Sequence, residues 1–431
     1  MTEPEMIHAG TGEKMQYLAH EYNDNTIRFI LHYPKPLDPQ IMEAAARALA
    51  ESVEVLHASF QPGKVEANWQ VNEDYSPEDY FLFVKTQKEP SKDALERALV
   101  PVKPQGKAQL FVSLIQNDSE SAVVLTVSHL CVDGGDGKYL LKKLTQAYNL
   151  ILETGNAEGL QVKNGSRAAE QIYEQMSKKE VRSLMKNPLT GVKNGFPFPD
   201  SEPGSRRLVA ARIPEEVLHA ASQRAKAEGA TVNDLLLTAA YHAYASMPGI
   251  KADEPMSIMS FLDLRRYCEN GDSQGLSNLS GSLPTQLAEG VCSDFKHTLK
   301  NIAQQTRSFK NVPHAGMEGL PILHSAARAI PLGILQKMVG SVYGQMSLGM
   351  TNLGAVSGRE LALGDCVPQE ILFGGPLKKK PGMQISAMTL EGRGTLCVAT
   401  ECTDKDAALL SEFLERMVDE LTVYGLGNRM E

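Results

Sequence analysis

Ile27, Phe29, Leu31 and Tyr33 occupy alternate positions, so one face of this stretch is apolar and the spacing predicts a half-buried strand, which Pro34 and Pro36 end. A helix is expected at once. Asp38 suits its cap and Pro39 its first turn, and Ile41, Met42, Ala45 and Leu49 form an apolar stripe as far as about Glu51. Val65, Ala67, Trp69 and Val71 alternate again as a strand. The clearest hairpin pairs Leu110–Ile115 with Val123–Val127 across the turn-forming Gln116-Asn117-Asp118-Ser119. From Gly137 onward Tyr139, Leu140, Leu144, Ala147 and Tyr148 recur at helical spacing, so the segment between lies where a strand passes into a helix.

A second helical stretch is expected around 167–186. The segment 188–204 follows, carrying Pro188, Pro197, Pro199 and Pro203 among several glycines, which neither a helix nor a central strand tolerates. It divides the chain into lobes at 1–187 and 205–431. The second half restarts with a strand at 206–213, a helix opened by Pro214-Glu215-Glu216 and another capped by Thr231 with Asp234 three residues on. Further strands are expected near 255–262, 347–356, 383–390 and 394–401. A last amphipathic helix runs through Leu410, Phe413, Leu414, Met417, Val418 and Leu421. The pattern predicts an α/β protein of two similar lobes, each a sheet covered by helices, without solenoid repeats or low-complexity tracts.

Composition narrows the function. The 431 residues are 42% hydrophobic and 22% charged, enough for one large core or more. A net charge of -9 without a long Lys/Arg cluster argues against nucleic acid or an anionic membrane as partner and favours small molecules or neutral partners. The acidic start, the lack of a long apolar run and scattered cysteines without a C-x-x-C pair are those expected of a cytoplasmic protein with reduced thiols.

Candidate chemistry concentrates in Ser128-His129-Leu130-Cys131-Val132-Asp133-Gly134. A neutral imidazole near pH 7 can take a proton from a hydroxyl, amine or thiol, and general-base help of this kind is worth roughly 10²- to 10⁴-fold. Read alone, a histidine at a strand end is as well explained by a hydrogen-bonded, partly buried structural residue. The run Gly134-Gly135-Asp136-Gly137 serves either a close approach to a ligand or a tight turn. It is not a phosphate loop, since that would need glycine where Val132 stands. His129 with Asp133 lacks a third ligand at metal-binding spacing, so no metal is expected.

After a hydrophobic strand and before an amphipathic helix, Ser128-His129-x-x-x-Asp133-Gly134 resembles the H-H-x-x-x-D-G signature of the chloramphenicol acetyltransferase and condensation-domain acyltransferase superfamily. The Pro36-Leu37-Asp38-Pro39 helix entry, Val55–Phe60, Leu262–Arg266, Ser277–Gly281 and Thr351–Gly354 are similar to further stretches of that family, so the likeness covers most of the chain. It implies two chloramphenicol-acetyltransferase-like lobes, each a mixed, largely antiparallel sheet covered by helices, arranged as a V-shaped pseudo-dimer with a channel between them. It also implies that His129 is the general base for attack of a small-molecule hydroxyl or amine acceptor on an acyl thioester. The donor would be acyl-coenzyme A or a separate phosphopantetheinyl acyl-carrier protein, acting as co-substrate rather than bound cofactor. Asp133 and Gly134 would then be structural, with Arg265 the expected partner of Asp133. The first signature histidine is replaced by Ser128, read first as a small residue tolerated at a strand end and otherwise as one that bonds locally or shapes the site. Candidate oxyanion or substrate contacts are Ser128, Ser280, Ser282 and Asn352, beside the Gly134 amide. A non-catalytic binding or scaffold protein of the same fold is the alternative.

Two further signals lie outside the motif. Met338, Met346 and Met350 within 330–350 fit an adaptable pocket lining or ordinary core. Lys378-Lys379-Lys380 reads as a solvated loop before it reads as a phosphate contact.

Overall fold

The computed structural model describes residues 5–186, 191–343 and 348–427, with side chains described only to residue 340 in the second range. Of the readings above, Met346, Pro188 and part of the interlobe segment fall outside them.

The first sheet is mixed, with strands in the order Glu370–Gly374, Thr26–Tyr33, Ser121–Ser128, Leu110–Gln116, Phe81–Lys85. All its pairings are antiparallel except that of Phe81–Lys85 with Leu110–Gln116. The helices Pro39–Glu51 and Gly134–Thr154 pack on each other and cover one face. Phe29, Leu31, Leu125, Val127, Leu140 and Leu144 share the resulting core. Asp38 caps the first of these helices through Oδ1, which accepts from the Gln40 and Ile41 amides. A small three-stranded sheet, Met6–His8, Ala67–Val71 and Ala58–Pro62, sits beside it around the fully buried Trp69.

The second sheet has six strands in the order Ser280–Leu287, Met256–Asp263, Leu348–Val356, Met383–Leu390, Arg393–Cys402, Ser205–Ile213. The helices Glu215–Ala227, Val232–Ala245 and Asp404–Leu426 pack around one core with Ile258, Ile385, Leu396 and Leu410. Thr231 and Asp234 form the expected capping box. The fold is thus two lobes, each an open sheet covered by helices.

The lobes are interlocked. Glu370–Gly374 lies in the half of the chain that builds the second sheet, yet it pairs with Thr26–Tyr33 at the edge of the first. Between 167 and 186 the expected helical stretch is only a short 3₁₀ turn, Ala169–Tyr173, and the helix Lys178–Ser183. Strands Phe81–Lys85, Ser280–Leu287 and Glu370–Gly374 and helices Pro90–Ala98, Phe295–Asn311, Leu320–Ala329 and Leu332–Tyr343 add to the elements anticipated from the pattern.

Candidate active site at the strand-to-helix junction

Strand Ser121–Ser128 is buried at every position, and so are Leu130, Cys131, Val132 and Asp133 after it. Within 121–133 only His129 is half-buried rather than buried. The apolar side chains of Leu130, Cys131 and Val132 nail the loop into the first core. The Ser128 carbonyl accepts from the Cys131 amide, and the His129 amide donates to the Asn25 carbonyl at 2.7 Å. The backbone is therefore fixed on both sides of the imidazole.

Ser128 is fully buried, its Oγ accepting from the Leu130 amide at 3.3 Å. It bonds locally and offers nothing to a substrate, which removes it from the oxyanion candidates. Cys131 is equally enclosed, and burial pushes its thiol up to about 12, so it is no nucleophile at neutral pH.

Asp133 turns away from the imidazole. One carboxylate oxygen accepts from Arg265 at 2.8 Å and from the Leu279 amide at 2.9 Å, and the other caps the motif helix by accepting from the Asp136 amide at 3.1 Å. Burial by itself would raise this carboxyl, but the Arg265 guanidinium and the two amides outweigh it and hold it below the usual carboxylate range. Asp136 is buried beside it, 2.8 Å from Arg265 and 2.6 Å from Lys163, and accepts from the Ser277 amide at 2.7 Å. Burial, reinforced by the neighbouring Asp133 charge, raises Asp136. Arg265 also reaches Asp263 at 3.1 Å and the Ser277 carbonyl at 2.9 Å. The guanidinium comes from the second lobe and both carboxylates from the first, so the pair joins the lobes across the motif. Asp136 and Lys163 are members that sequence reasoning missed; the acidic N3 position after a cap was the available signal.

A second arginine braces the loop. Arg167 sits between Glu13, at 2.7 Å, and the Cys131 carbonyl, at 3.2 Å, and it also donates to the Leu276 carbonyl.

Gly134 opens the helix Gly134–Thr154. A Cβ there would stand 2.8 Å from the Leu353 Cδ2 methyl, so glycine serves a close approach of strand Leu348–Val356 rather than a turn. Lys138 donates to the Leu353 carbonyl at 2.6 Å at the same crossing. Asn352, next in line, spends Oδ1 on the Gly354 amide at 2.9 Å. Ser280 and Ser282 lie on the edge strand opposite Asp263 and Phe261. Among the described residues no hydrogen bond ties Ser280, Ser282 or Asn352 to His129.

The residue that does reach the imidazole is Asn278. Its Nδ2 lies 2.9 Å from His129 Nδ1 and donates to the His129 carbonyl at 3.0 Å. Ser277-Asn278 stood in the sequence as part of a family-like stretch, without a role. Burial lowers the His129 pKa; its own carbonyl, the Asp133 charge and the Val132 carbonyl oppose that, and the Lys378 ammonium adds to it. The ring is therefore neutral at pH 7.

Of Lys378-Lys379-Lys380 only Lys379 is exposed; its two neighbours are half-buried, so the run is not simply a solvated loop. Burial brings the Lys378 amine down to about 8. Lys380 pairs with the fully buried Asp406 and donates to the Asp200 carbonyl at 2.9 Å. Met350 belongs to the second core, while Met338 is exposed on the helix Leu332–Tyr343. No group of three or more His, Cys, Asp and Glu among the described residues is placed to hold a metal, and no helix there is long and apolar enough to cross a membrane.

Two open-sheet lobes, one sending a central strand into a helix at His129, are the architecture of condensation domains. The chain belongs to the condensation-domain family: the family's model, described as Condensation domain, matches residues 13–247, more than half of the 431. Solved structures agree over nearly the whole length. Polyketide synthase associated protein 5 from Mycobacterium tuberculosis is 13% identical with a TM-score of 0.71 and covers 100% of both chains. Trichothecene 15-O-acetyltransferase from Fusarium sporotrichioides is 12% identical with a TM-score of 0.69, covering 97% of this chain and 95% of that one. The first condensation domain of the calcium-dependent antibiotic synthetase, in complex with a substrate analogue, is 14% identical with a TM-score of 0.66, covering 98% and 97%. No curated protein matches the sequence.

Proposed function

We propose that the protein transfers an acyl group from a thioester, carried by coenzyme A or by a separate phosphopantetheinyl carrier protein, to a small-molecule hydroxyl or amine, with His129 as general base. The observation that carries this reading is the burial pattern: across 121–133 His129 is the one residue that is not fully packed away, on a backbone anchored by apolar side chains and by an ion pair between lobes. A structural histidine needs no such presentation. Neutral at pH 7, the ring accepts the acceptor's proton as its oxygen or nitrogen attacks the thioester carbonyl. The resulting imidazolium then returns that proton to the departing thiolate. Family membership and the acetyltransferase neighbour support the reaction class. Donor and acceptor approach from opposite faces of the junction between the lobes, and no metal is required.

Thiol release from a panel of acyl-coenzyme A and acyl-carrier donors tests this. His129→Ala is expected to lower turnover by about 10²- to 10⁴-fold. Because the ring is lowered from its ordinary value, the wild-type rate should already be at its plateau at pH 7 and fall only below the ordinary histidine value. A variant of unchanged rate overturns the proposal. Ligand binding that is equal with and without His129, and no turnover in any combination, identifies a binding protein instead.

A further inference from the structure

The two large sheets present four edge strands, and three of these are closed. Glu370–Gly374 is packed against strands of the second lobe, where Thr395 Oγ1 donates to the Ile371 carbonyl at 2.9 Å. Along Ser280–Leu287, Pro284 has no amide, and the Gln305 side chain takes up the Gln286 amide and carbonyl at 2.9 and 2.6 Å as a neighbouring strand would. Ser205–Ile213 carries Arg206, Arg207 and Arg212, charges of the kind that keep an edge unpaired. The fourth edge, Phe81–Lys85, is apolar up to its last residue, and Leu82 and Phe83 are 39% and 38% exposed. Its ladder to Leu110–Gln116 is flanked by the Tyr80 carbonyl, which accepts from the Val112 amide at 2.8 Å, and the Thr86 amide, which donates to the Gln116 carbonyl at 2.9 Å. Alternate residues of a parallel strand face its ladder, so the amides and carbonyls of Phe81, Phe83 and Lys85 point the other way. Among the described residues no hydrogen bond meets them there.

We infer that this edge is a self-association surface: a second copy of the chain adds its own Phe81–Lys85, antiparallel about a two-fold axis at Phe83, and the two first-lobe sheets become one. The chemistry of the segment selects both occupant and register. Centred on Phe83, the pairing matches outward-facing residues with outward-facing residues, sets Phe83 against Phe83 and Leu82 against Val84, and leaves no charge opposite a like charge. It also brings the basic end of the segment, Lys85 and Lys88, over the acidic start, Glu78 and Asp79, of the second copy. Glu78 and Lys88 are both exposed, and neither belongs to an ion pair among the described residues. Moving the axis to Val84 would oppose Glu89 to Asp79, and moving it to Lys85 would oppose two lysines. Two-fold pairing consumes the edge of both copies, so assembly stops at the dimer. The inference does not depend on the acyltransfer reading.

Sedimentation velocity of the full chain over a concentration series tests this. One short strand edge falls among the small, weak interfaces, so a monomer–dimer equilibrium is expected within about 1–100 μM. Phe83→Lys, at an exposed position outside the core, sets two ammonium groups face to face and should weaken the dimer by about 100-fold or more. Lys88→Glu should weaken it by about 3- to 10-fold, and adding Glu78→Lys to that variant should restore the wild-type constant, since the pair is then reversed and not lost. Circular dichroism checks that each variant keeps the fold. A wild type that stays monomeric through the series, assembly beyond two copies, or a dimer indifferent to Phe83→Lys overturns the inference. So does a double variant that associates no more tightly than Lys88→Glu alone, and this pair of surface changes decides the matter should Phe83→Lys fail to fold.

Discussion

Each lobe sends the second strand of a hairpin into a long helix, and the two junctions differ in one segment. In the first lobe Ser121–Ser128 is followed by His129–Asp133 before the helix Gly134–Thr154; in the second, Arg393–Cys402 is followed by Thr403 alone before Asp404–Leu426. The caps are otherwise alike. Asp133 and Thr403 accept from the amide three residues on, Asp136 at 3.1 Å and Asp406 at 3.3 Å, and both of those aspartates are buried on a cation. The aspartates at this position are thus part of how a strand is joined to a helix in either lobe. What distinguishes the first junction is the added loop that carries the half-buried His129, together with an arginine from the other lobe to hold it.

The largest expected effect tests that last point. Arg265 is buried against Asp133 and Asp136, so Arg265→Met leaves two buried carboxylates facing only Lys163 and backbone amides. Removing one partner of a buried pair costs about 3–5 kcal/mol. Lys380→Met strips one cation from Asp406, which keeps amide donors from Thr403 at 2.9 Å and Asp200 at 3.2 Å, and should cost less. Chemical denaturation of the two variants compares the junctions directly. Equal losses would mean that the arginine clamp is no stronger a lobe joint than an ordinary capped helix.

A smaller effect separates the two N3 aspartates by pH. Asp406 is lowered because, although burial raises it, Lys380 and the surrounding amides outweigh burial; Asp136 is raised because burial and Asp133 outweigh Arg265 and Lys163. A depressed carboxyl adds stability that is present above its unfolded value, about 3.9, and is lost as pH falls through the folded value. A raised one does the reverse, losing stability as pH climbs from about 3.9 through the folded value. The stability of wild type relative to Asp406→Asn should therefore rise with pH in the acid range, and that relative to Asp136→Asn should fall. Urea midpoints at a series of pH values give both slopes. Slopes of the same sign would show that the Asp133 charge does not set the two sites apart.

Much of this scaffold is legible in the sequence because it rests on local rules. Alternation marks Thr26–Tyr33, two apolar runs about a turn mark the hairpin 110–128, and cap residues mark the helices after Asp38 and Thr231. The pairing of Asp133 with Arg265 came from family likeness, and the structure sets the two at 2.8 Å. What escapes is long-range. Glu370–Gly374 is a short apolar run whose place in the first sheet depends on a crossing between lobes that no periodicity records. Asn278 reads as an ordinary polar residue before a strand, because its role depends on a separation of 149 residues from His129. The lysine run looked solvated since burial is a property of packing: the loop begins at Gly375, fixed by Arg28 and Ser386, and Lys378 and Lys380 are half-buried while Lys379 stays exposed. The helical stretch near 167–186 failed for another reason. Its apolar residues Ile172 and Leu184 meet a small satellite cluster with Leu264 and Met317, not a continuous core stripe, so only short turns of helix form.

The smallest effect concerns the cap itself. Thr403→Ala removes the hydroxyl that accepts from the Asp406 amide and leaves Asp406 with its partners Lys380 and the Thr403 amide. The cost should be that of an ordinary N-cap, about 1 kcal/mol, because nothing else depends on the hydroxyl beyond its bond to Asp200 at 2.6 Å. At the first junction the cap residue is also an ion-pair member, so Asp133→Asn, which keeps an oxygen for the Asp136 amide but loses the charge, should cost more than Thr403→Ala although it disturbs the cap less. Thermal unfolding of the two variants ranks them. If Asp133→Asn proves the milder, Asp133 acts at the first junction as a cap and not as the anchor of the loop that carries His129.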